Sequence, residues 1–423
     1  MDRSALSKTE LARLTELYHN KEFLELKEAA EASLKINDSS ATLWNFLGVS
    51  ERGLGNYKKA KELYITLLEK NPKNFMFLSN LGHLYFSEGN MLKAGELYER
   101  AVRYHPEEHE GHVSLGRLRA EQLKLEDALI CFKKAVRLKP GDERAAFSLG
   151  DCYRKLERFE EAVDAFEGLE IGLSRSHQLE CLYLTGKNET FNDKVIAIQR
   201  DQIRNPLVGA VLSHASIRFG KDIPNPFCNK PLEFIFRAPL PQSALNQDLI
   251  DSIIAYHRAS KKNYKKQALL TKGTQSSGNL LLTGLPFVEP LRKILKASVG
   301  SYRNAFKHRK EGFLEFWPKD YDIYAWLVSI KGQGSLAPHI HKLGWLSGSI
   351  YLQLPKSLAG DEGLISFGMH GAHYPTDGAE FDKHSLPIGE GDICMFPSSL
   401  FHNTEPFEGD EERISLAFDI MPR

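Results

Sequence analysis

Three of the 15 histidines in this 423-residue chain stand where strand-forming residues and turns alternate. His339 and His341 lie in Pro338-His339-Ile340-His341, and His402 ends the run Phe396-Pro397-Ser398-Ser399-Leu400-Phe401-His402. Arg413 and Ser415 follow in Glu412-Arg413-Ile414-Ser415-Leu416-Ala417-Phe418. In extended backbone, residues i and i+2 share a face, so His339 and His341 point the same way, as do Arg413 and Ser415. Imidazoles on a rigid β scaffold with open coordination positions suit non-haem iron(II). A buried guanidinium is costly unless an anion meets it, and with a neighbouring hydroxyl it forms a fork for a carboxylate. Together these residues describe a mononuclear metal site beside an anion-binding cleft. An HxH pair alone carries little weight among so many histidines, so the segments around it must carry the argument.

Those segments read as short strands. After Gly312 the period changes from helical to alternating, with candidate strands at Phe313–Trp317, Tyr324–Lys331, Leu346–Leu354, Gly363–Phe367, Asp392–Phe396, Leu400–Thr404 and Ile414–Ile420. Turn residues separate them: Gly332-Gln333-Gly334, Pro355, Gly360-Asp361, Gly389-Glu390-Gly391-Asp392 and Glu408-Gly409-Asp410. Short strands with tight turns and no alternating helices predict a sandwich or jelly-roll barrel. Leu232–Arg237 reads as its first strand, and amphipathic helices over Asn246–Gln267 and Pro286–Phe306 are expected to pack outside one sheet. Lys261, Lys262, Lys265 and Lys266 on the first of these helices read as a solvated face. His370 and His373 read as part of a loop over the barrel mouth, and Trp326 and Trp345 as core or cleft residues.

The order PHxH, then Gly348-Ser349-Ile350-Tyr351-Leu352, then Gly391-Asp392-Ile393-Cys394-Met395-Phe396-Pro397 leading to His402, then Arg413-Ile414-Ser415 resembles the 2-oxoglutarate/Fe(II)-dependent oxygenase superfamily, in particular its bacterial and phage-type members. The resemblance covers roughly residues 230–423 and implies a double-stranded β-helix. It implies iron(II), 2-oxoglutarate and O2 as cofactor and co-substrates, with His339 and His402 as metal ligands. Arg413 would bind the distal carboxylate of 2-oxoglutarate with help from Ser415, and Tyr351 would hydrogen-bond the co-substrate. The chain departs from the superfamily's HxD or HxE at His341. Either His341 is a third nitrogen ligand, or the iron keeps two histidines and an extra water.

Ahead of this domain the sequence repeats with a period of 34 residues. With Ala41, Phe75, His109 and Glu143 as first positions, position 8 is always glycine (Gly48, Gly82, Gly116, Gly150) and position 20 always alanine (Ala60, Ala94, Ala128, Ala162). Position 24 is aromatic in Tyr64, Tyr98, Phe132 and Phe166, and Pro72, Pro106 and Pro140 end the second helix of three units. Small residues at 8 and 20 let paired helices approach, and the aromatic at 24 is expected to fill the gap to the next pair. The pattern resembles the tetratricopeptide repeat. It gives a solenoid over residues 1–171, with a degenerate first repeat at 7–40 and repeats at 41–74, 75–108, 109–142 and 143–171. In that frame Asn45, Arg52, His83, Arg117, Arg144 and Arg154 line a concave groove suited to a peptide or protein partner, an acidic one in particular. Residues 172–225 read as a helical extension or linker that closes the solenoid, and 226–423 as the oxygenase domain.

The predicted fold class is therefore a multidomain α + β chain: a tetratricopeptide α-solenoid, then a jelly-roll domain with flanking helices. Lys+Arg and Asp+Glu balance at 55 each, so a non-specific nucleic-acid binder is not expected. Five dispersed cysteines without a CxxC pair, no apolar leader and no long apolar run predict a reduced, cytoplasmic protein away from membranes. The expected activity is an iron(II)- and 2-oxoglutarate-dependent dioxygenase, a hydroxylase of a peptide or protein brought by the repeats. The alternatives are a non-catalytic scaffold with a degenerate barrel, and a three-histidine, cupin-like metalloenzyme that uses no 2-oxoglutarate.

Overall fold

The computed structural model of the protein describes residues 7–260, 267–356, 358–371 and 374–423. Its chain divides into two compact units, Met1–Ser174 and Arg175–Arg423. The first is made of helix pairs: α1 (Lys8–His19) with α2 (Phe23–Leu34), α3 (Ala41–Gly53) with α4 (Tyr57–Lys70), α5 (Phe75–Ser87) with α6 (Met91–Tyr104), α7 (His109–Glu121) with α8 (Leu125–Leu138), and α9 (Glu143–Lys155) with α10 (Phe159–Phe166). Each 34-residue unit begins on the first residue of a helix. Ser40, Asn74 and Asp142 cap three of these helices by accepting backbone N–H bonds of the first turn.

The glycine at position 8 is where the two helices of a pair touch. A Cβ on Gly82 would stand 2.5 Å from Tyr98 Cε1, and one on Gly116 2.6 Å from Phe132 Cε1. The aromatic at position 24 thus packs on the glycine of its own repeat and also reaches the next one: the Tyr64 ring lies 6.1 Å from that of Phe77, and Tyr98 clusters with Leu115 and Leu118. Alanine at Gly82 would gain about 1 kcal/mol of helix propensity. Overpacking against the buried Tyr98 ring costs about 1–3 kcal/mol. Gly82→Ala is expected to lower the urea midpoint of the repeat unit; a raised midpoint would show that the ring yields freely.

The expected groove residues have diverse fates. Asn45 is engaged internally, its Oδ1 accepting from Tyr64 Oη at 3.2 Å and Asn80 Nδ2 at 2.8 Å. Arg154 pairs with Asp151 at 2.7 Å, and Arg144 is exposed. Arg52 and Arg117 have no carboxylate partner among the described residues, and Arg117 lines a cleft of about 220 Å³ with Phe86, Phe147 and Lys155. Burial, reinforced by the charges of Arg52 and Arg117, pushes the pKa of His83 down to about 4. An unfolded histidine titrates near 6.5. Above that pH both states are neutral, and below it the unfolded chain takes the proton first, so stability falls from about pH 6.5 to about pH 4. The expected loss at pH 5 relative to pH 7 is about 2 kcal/mol. Urea titrations at the two pH values check it, since His83→Gln removes this contribution to the difference.

The second unit takes in the helices of residues 172–225 from Arg175 onward: α11 (Ser174–Thr185), α12 (Asn188–Arg200) and α13 (Pro206–Phe219). Then follow β1 (Phe236–Pro239), α14 (Gln247–Ser260), β2 (Leu270–Gln275), α15 (Val288–Ala305), α16 (Gly312–Glu315), β3 (Tyr321–His339), β4 (Leu346–Gln353), β5 (Ile365–Gly368), β6 (Lys383–Leu386), β7 (Asp392–Pro397), β8 (Phe401–Thr404) and β9 (Glu412–Pro422). The strands form one curled antiparallel sheet in the order β1-β7-β4-β9-β3-β8-β5-β6, with β2 also on β3.

Three expectations are corrected. Phe313–Trp317 is not a strand: Phe313 lies in a helical turn that begins at Gly312, its N–H bonding the Phe227 carbonyl at 2.7 Å and its ring buried among Phe227 and Phe234. The first half of Leu232–Arg237 is a 3-10 turn (Pro231–Phe234), with β1 starting only at Phe236. Gly332-Gln333-Gly334 is no turn, because β3 runs straight through it. Gly332 is needed there for close approach, since a Cβ would lie 1.5 Å from the Gly409 carbonyl oxygen. Lys261, Lys262, Lys265, Lys266 and His373 lie outside the described residues.

Alternation along the central strands separates core from cavity. Ile414, Leu416, Phe418 and Ile420 of β9 join Ile323, Ala325 and Leu327 of β3 in the largest apolar core, which α14 and α15 cover. Arg413, Ser415, Ala417 and Asp419 take the other face. Trp345 belongs to the core, its Nε1 donating to the Phe313 carbonyl at 2.7 Å. No helix among the described residues is long and apolar enough to cross a membrane.

Candidate metal centre

His339 and His402 are direct cross-strand partners on β3 and β8, the closest placement a sheet offers to side chains 63 positions apart in sequence. Their rings lie 4.3 Å apart between centroids, and the His341 ring is 5.0 Å from His402 and 5.1 Å from His339. One ligating nitrogen from each of the three comes within 4.8 Å of the others, the only such cluster of histidine, cysteine or carboxylate groups among the described residues.

Hydrogen bonding fixes which nitrogens converge. His339 Nδ1 lies 2.9 Å from the Ala337 carbonyl oxygen and His402 Nδ1 3.1 Å from that of Leu400. His341 Nδ1 lies 2.6 Å from Asp419 Oδ1. Carbonyl and carboxylate oxygens only accept, so all three Nδ1 atoms carry the proton and all three Nε2 atoms offer lone pairs. His339 Nε2 and His341 Nε2 are 3.2 Å apart, two acceptors facing each other without a proton between them. Two nitrogens at about 2.1 Å from one cation and at right angles would be roughly 3 Å apart. The donor set therefore fits a divalent metal. Burial first, and then the charge of His341, pushes the pKa of His339 down to about 4. Burial, with His339 and His341, holds His402 well below its ordinary value. Both imidazoles are thus neutral and ready to ligate near pH 7.

The same cavity, of about 530 Å³, is lined by Arg413, Ser415, Asn403, Thr404, Trp326 and Tyr324 among others. Arg413 is 3% exposed. Its Nε donates to the Gly363 carbonyl at 3.0 Å and its guanidinium stands 5.0 Å from the Tyr351 ring centre. No carboxylate pairs with it among the described residues. Burial lowers its pKa against the upward pull of Tyr351. The Tyr351 hydroxyl is itself buried without a hydrogen-bond partner. A buried cation with no carboxylate partner among the described residues fits an anionic ligand.

The structure thus gathers His339, His341, His402, Arg413 and Ser415 around one cavity, with Tyr351 behind Arg413. His370 is elsewhere, its Nδ1 2.9 Å from His214 Nε2. The sequence reading missed Asp419, which faces the cavity by the same alternation that places Arg413 and Ser415. That parity was the available signal.

Comparison with known proteins agrees with this division of the chain. Residues 324–419 match the family described as "Putative 2OG-Fe(II) oxygenase", and residues 47–109 and 113–174 match tetratricopeptide repeats. Among solved structures, one from a functional characterization of Pseudomonas aeruginosa pilF is 18% identical and covers 45% of this chain and 90% of that one, with a TM-score of 0.40. A tetratricopeptide repeat protein from Parabacteroides merdae is 16% identical over 59% of this chain and 97% of its own, with a TM-score of 0.38. No curated protein matches the chain. The chain thus carries tetratricopeptide repeats ahead of a segment that matches the 2OG-Fe(II) oxygenase family.

Proposed function

We propose that the protein is an iron(II)- and 2-oxoglutarate-dependent dioxygenase, a hydroxylase whose peptide or protein substrate is recruited by the repeats. The observation that carries this reading is the convergence of three proton-free Nε2 atoms in the same cavity as a buried arginine that lacks a counter-ion. His339, His341 and His402 would hold the metal. Arg413, Ser415 and Tyr351 would hold the distal carboxylate of 2-oxoglutarate. Bound iron and 2-oxoglutarate supply an oxidant generated from O2, with succinate and carbon dioxide as co-products. The protein's part is to orient these ligands, exclude water and place the substrate beside Trp326 and Tyr324 at the His341 side of the cavity.

In the repeat unit, Arg52 and Arg117 offer charge to an acidic segment of the partner. Succinate formation from 2-oxoglutarate, measured with and without iron(II), tests the catalytic reading. Iron-dependent succinate supports it, and none under any metal load contradicts it. The all-nitrogen donor set also favours a second reading, a metalloenzyme that uses no 2-oxoglutarate. In that case turnover would survive loss of Arg413. Oxygen added to proteins captured by a His339→Ala variant, read by mass spectrometry after exposure to the intact enzyme, would identify the substrate.

A further inference from the structure

Behind His341 stands a carboxylate. Asp419 Oδ1 accepts from His341 Nδ1 at 2.6 Å and from Ser347 Oγ at 2.7 Å. Ser398 Oγ lies 2.7 Å from Ser347 Oγ. With the Ser347 proton directed at the carboxylate, Ser398 must be the donor of that contact. Both serines are buried, at 1% and 0% exposure, and Ser347 faces Asp419 directly across the β4–β9 ladder. Gly344 leaves room for the cluster, because a Cβ there would stand 2.9 Å from Ser398 Oγ and 3.0 Å from Asp419 Cγ. His339 and His402 lean only on backbone carbonyls. Of the three imidazoles, His341 alone is backed by an anion.

We infer that Asp419 is a positioning residue of the metal site. It locks His341 in the tautomer and orientation that leave Nε2 free to ligate, and it supplies from behind the imidazole ring the negative charge that a carboxylate ligand would have brought directly. The inference rests on the metal-binding reading above. A carboxylate accepting the second N–H of a ligating histidine fixes its ring and raises its basicity, and its loss typically costs about 10–100-fold in metal affinity. An amide in its place can donate to Nδ1, moving the ring proton to Nε2, where it blocks the metal. Ser347, itself backed by Ser398, holds the same carboxylate oxygen that faces the ring.

The test uses cobalt(II), a coloured substitute for iron(II), titrated into the full chain and into Asp419→Asn and Ser347→Ala. Asp419→Asn is expected to bind cobalt(II) about 10–100-fold more weakly with an altered ligand-field spectrum, while its metal-free melting temperature changes little. Ser347→Ala keeps the charge and is expected to lose less. Wild-type affinity and spectrum in Asp419→Asn would overturn the inference. A measurement on the unmodified protein covers the case of a variant that does not fold. The 15N shifts of His341 without metal should report a protonated Nδ1, and a protonated Nε2 would overturn the inference. A wild-type chain that binds no cobalt(II) contradicts the metal reading itself, whereas binding indifferent to Asp419 contradicts this inference alone.

Discussion

In His402→Ala, iron(II) binding is expected to weaken by more than about 100-fold and succinate formation to fall to background. The lower bound comes from carboxylates one shell further out, whose loss already costs about 10–100-fold; removing a donor itself costs more. The His402 Nδ1 is tied to the Leu400 carbonyl, and its ring lies 4.6 Å from that of Phe396 in a tilted contact. Truncation leaves a small void between β8 and β3 but also removes one of three converging lone pairs. The metal-free variant should therefore unfold close to wild type. The two effects separate in a thermal melt, because a metal that binds only the folded state raises the melting temperature with concentration. Wild type should show that rise and His402→Ala should not. Equal rises in both would mean that His402 is no ligand.

Arg413→Ala is expected to produce the complementary defect. Iron(II) affinity stays near wild type, because Arg413 touches none of the three imidazoles. The affinity for 2-oxoglutarate falls by the cost of breaking a buried charge pair, about 2–5 kcal/mol, or roughly 30-fold to several-thousand-fold. Arg413→Lys should recover only part of this. It keeps the charge but loses the planar fork that meets a carboxylate with two parallel bonds. Tyr351→Phe should show a smaller loss, since it removes only one buried hydroxyl beside Arg413 and leaves the guanidinium in place. The check is a pair of titrations, metal first and then 2-oxoglutarate, on each variant. A 2-oxoglutarate affinity unchanged in Arg413→Ala would favour the metalloenzyme that does without this co-substrate.

Much of the site was legible because β-strands write their faces in alternate letters. Arg413 and Ser415 share a parity with Ala417 and Asp419, and the intervening Ile414, Leu416, Phe418 and Ile420 announce a core face. The role of Asp419 was not legible, because it depends on facing Ser347 across β4–β9 and on His341 reaching it from the loop just after β3. Register between distant strands is not written in one sequence. The helices of the first unit were readable for the opposite reason: the contacts that pair two helices lie within one 34-residue unit and recur. Even there, which helix the aromatic at position 24 packs against required coordinates. β2 escaped notice because Leu270–Gln275 contains Lys272 and Gly273, poor strand formers, held in place by pairing with β3. Phe313 misled because an aromatic run reads as a strand until the Phe227 and Phe234 rings around it are known.

The central claim is that one cavity holds both a metal on three histidines and 2-oxoglutarate on Arg413. Anaerobic addition of iron(II) and then 2-oxoglutarate to the purified chain tests it most directly. The account predicts a weak visible charge-transfer band that needs both additions, vanishes in His402→Ala and demands far more 2-oxoglutarate in Arg413→Ala. No band in the intact protein at saturating iron(II) and 2-oxoglutarate would contradict it.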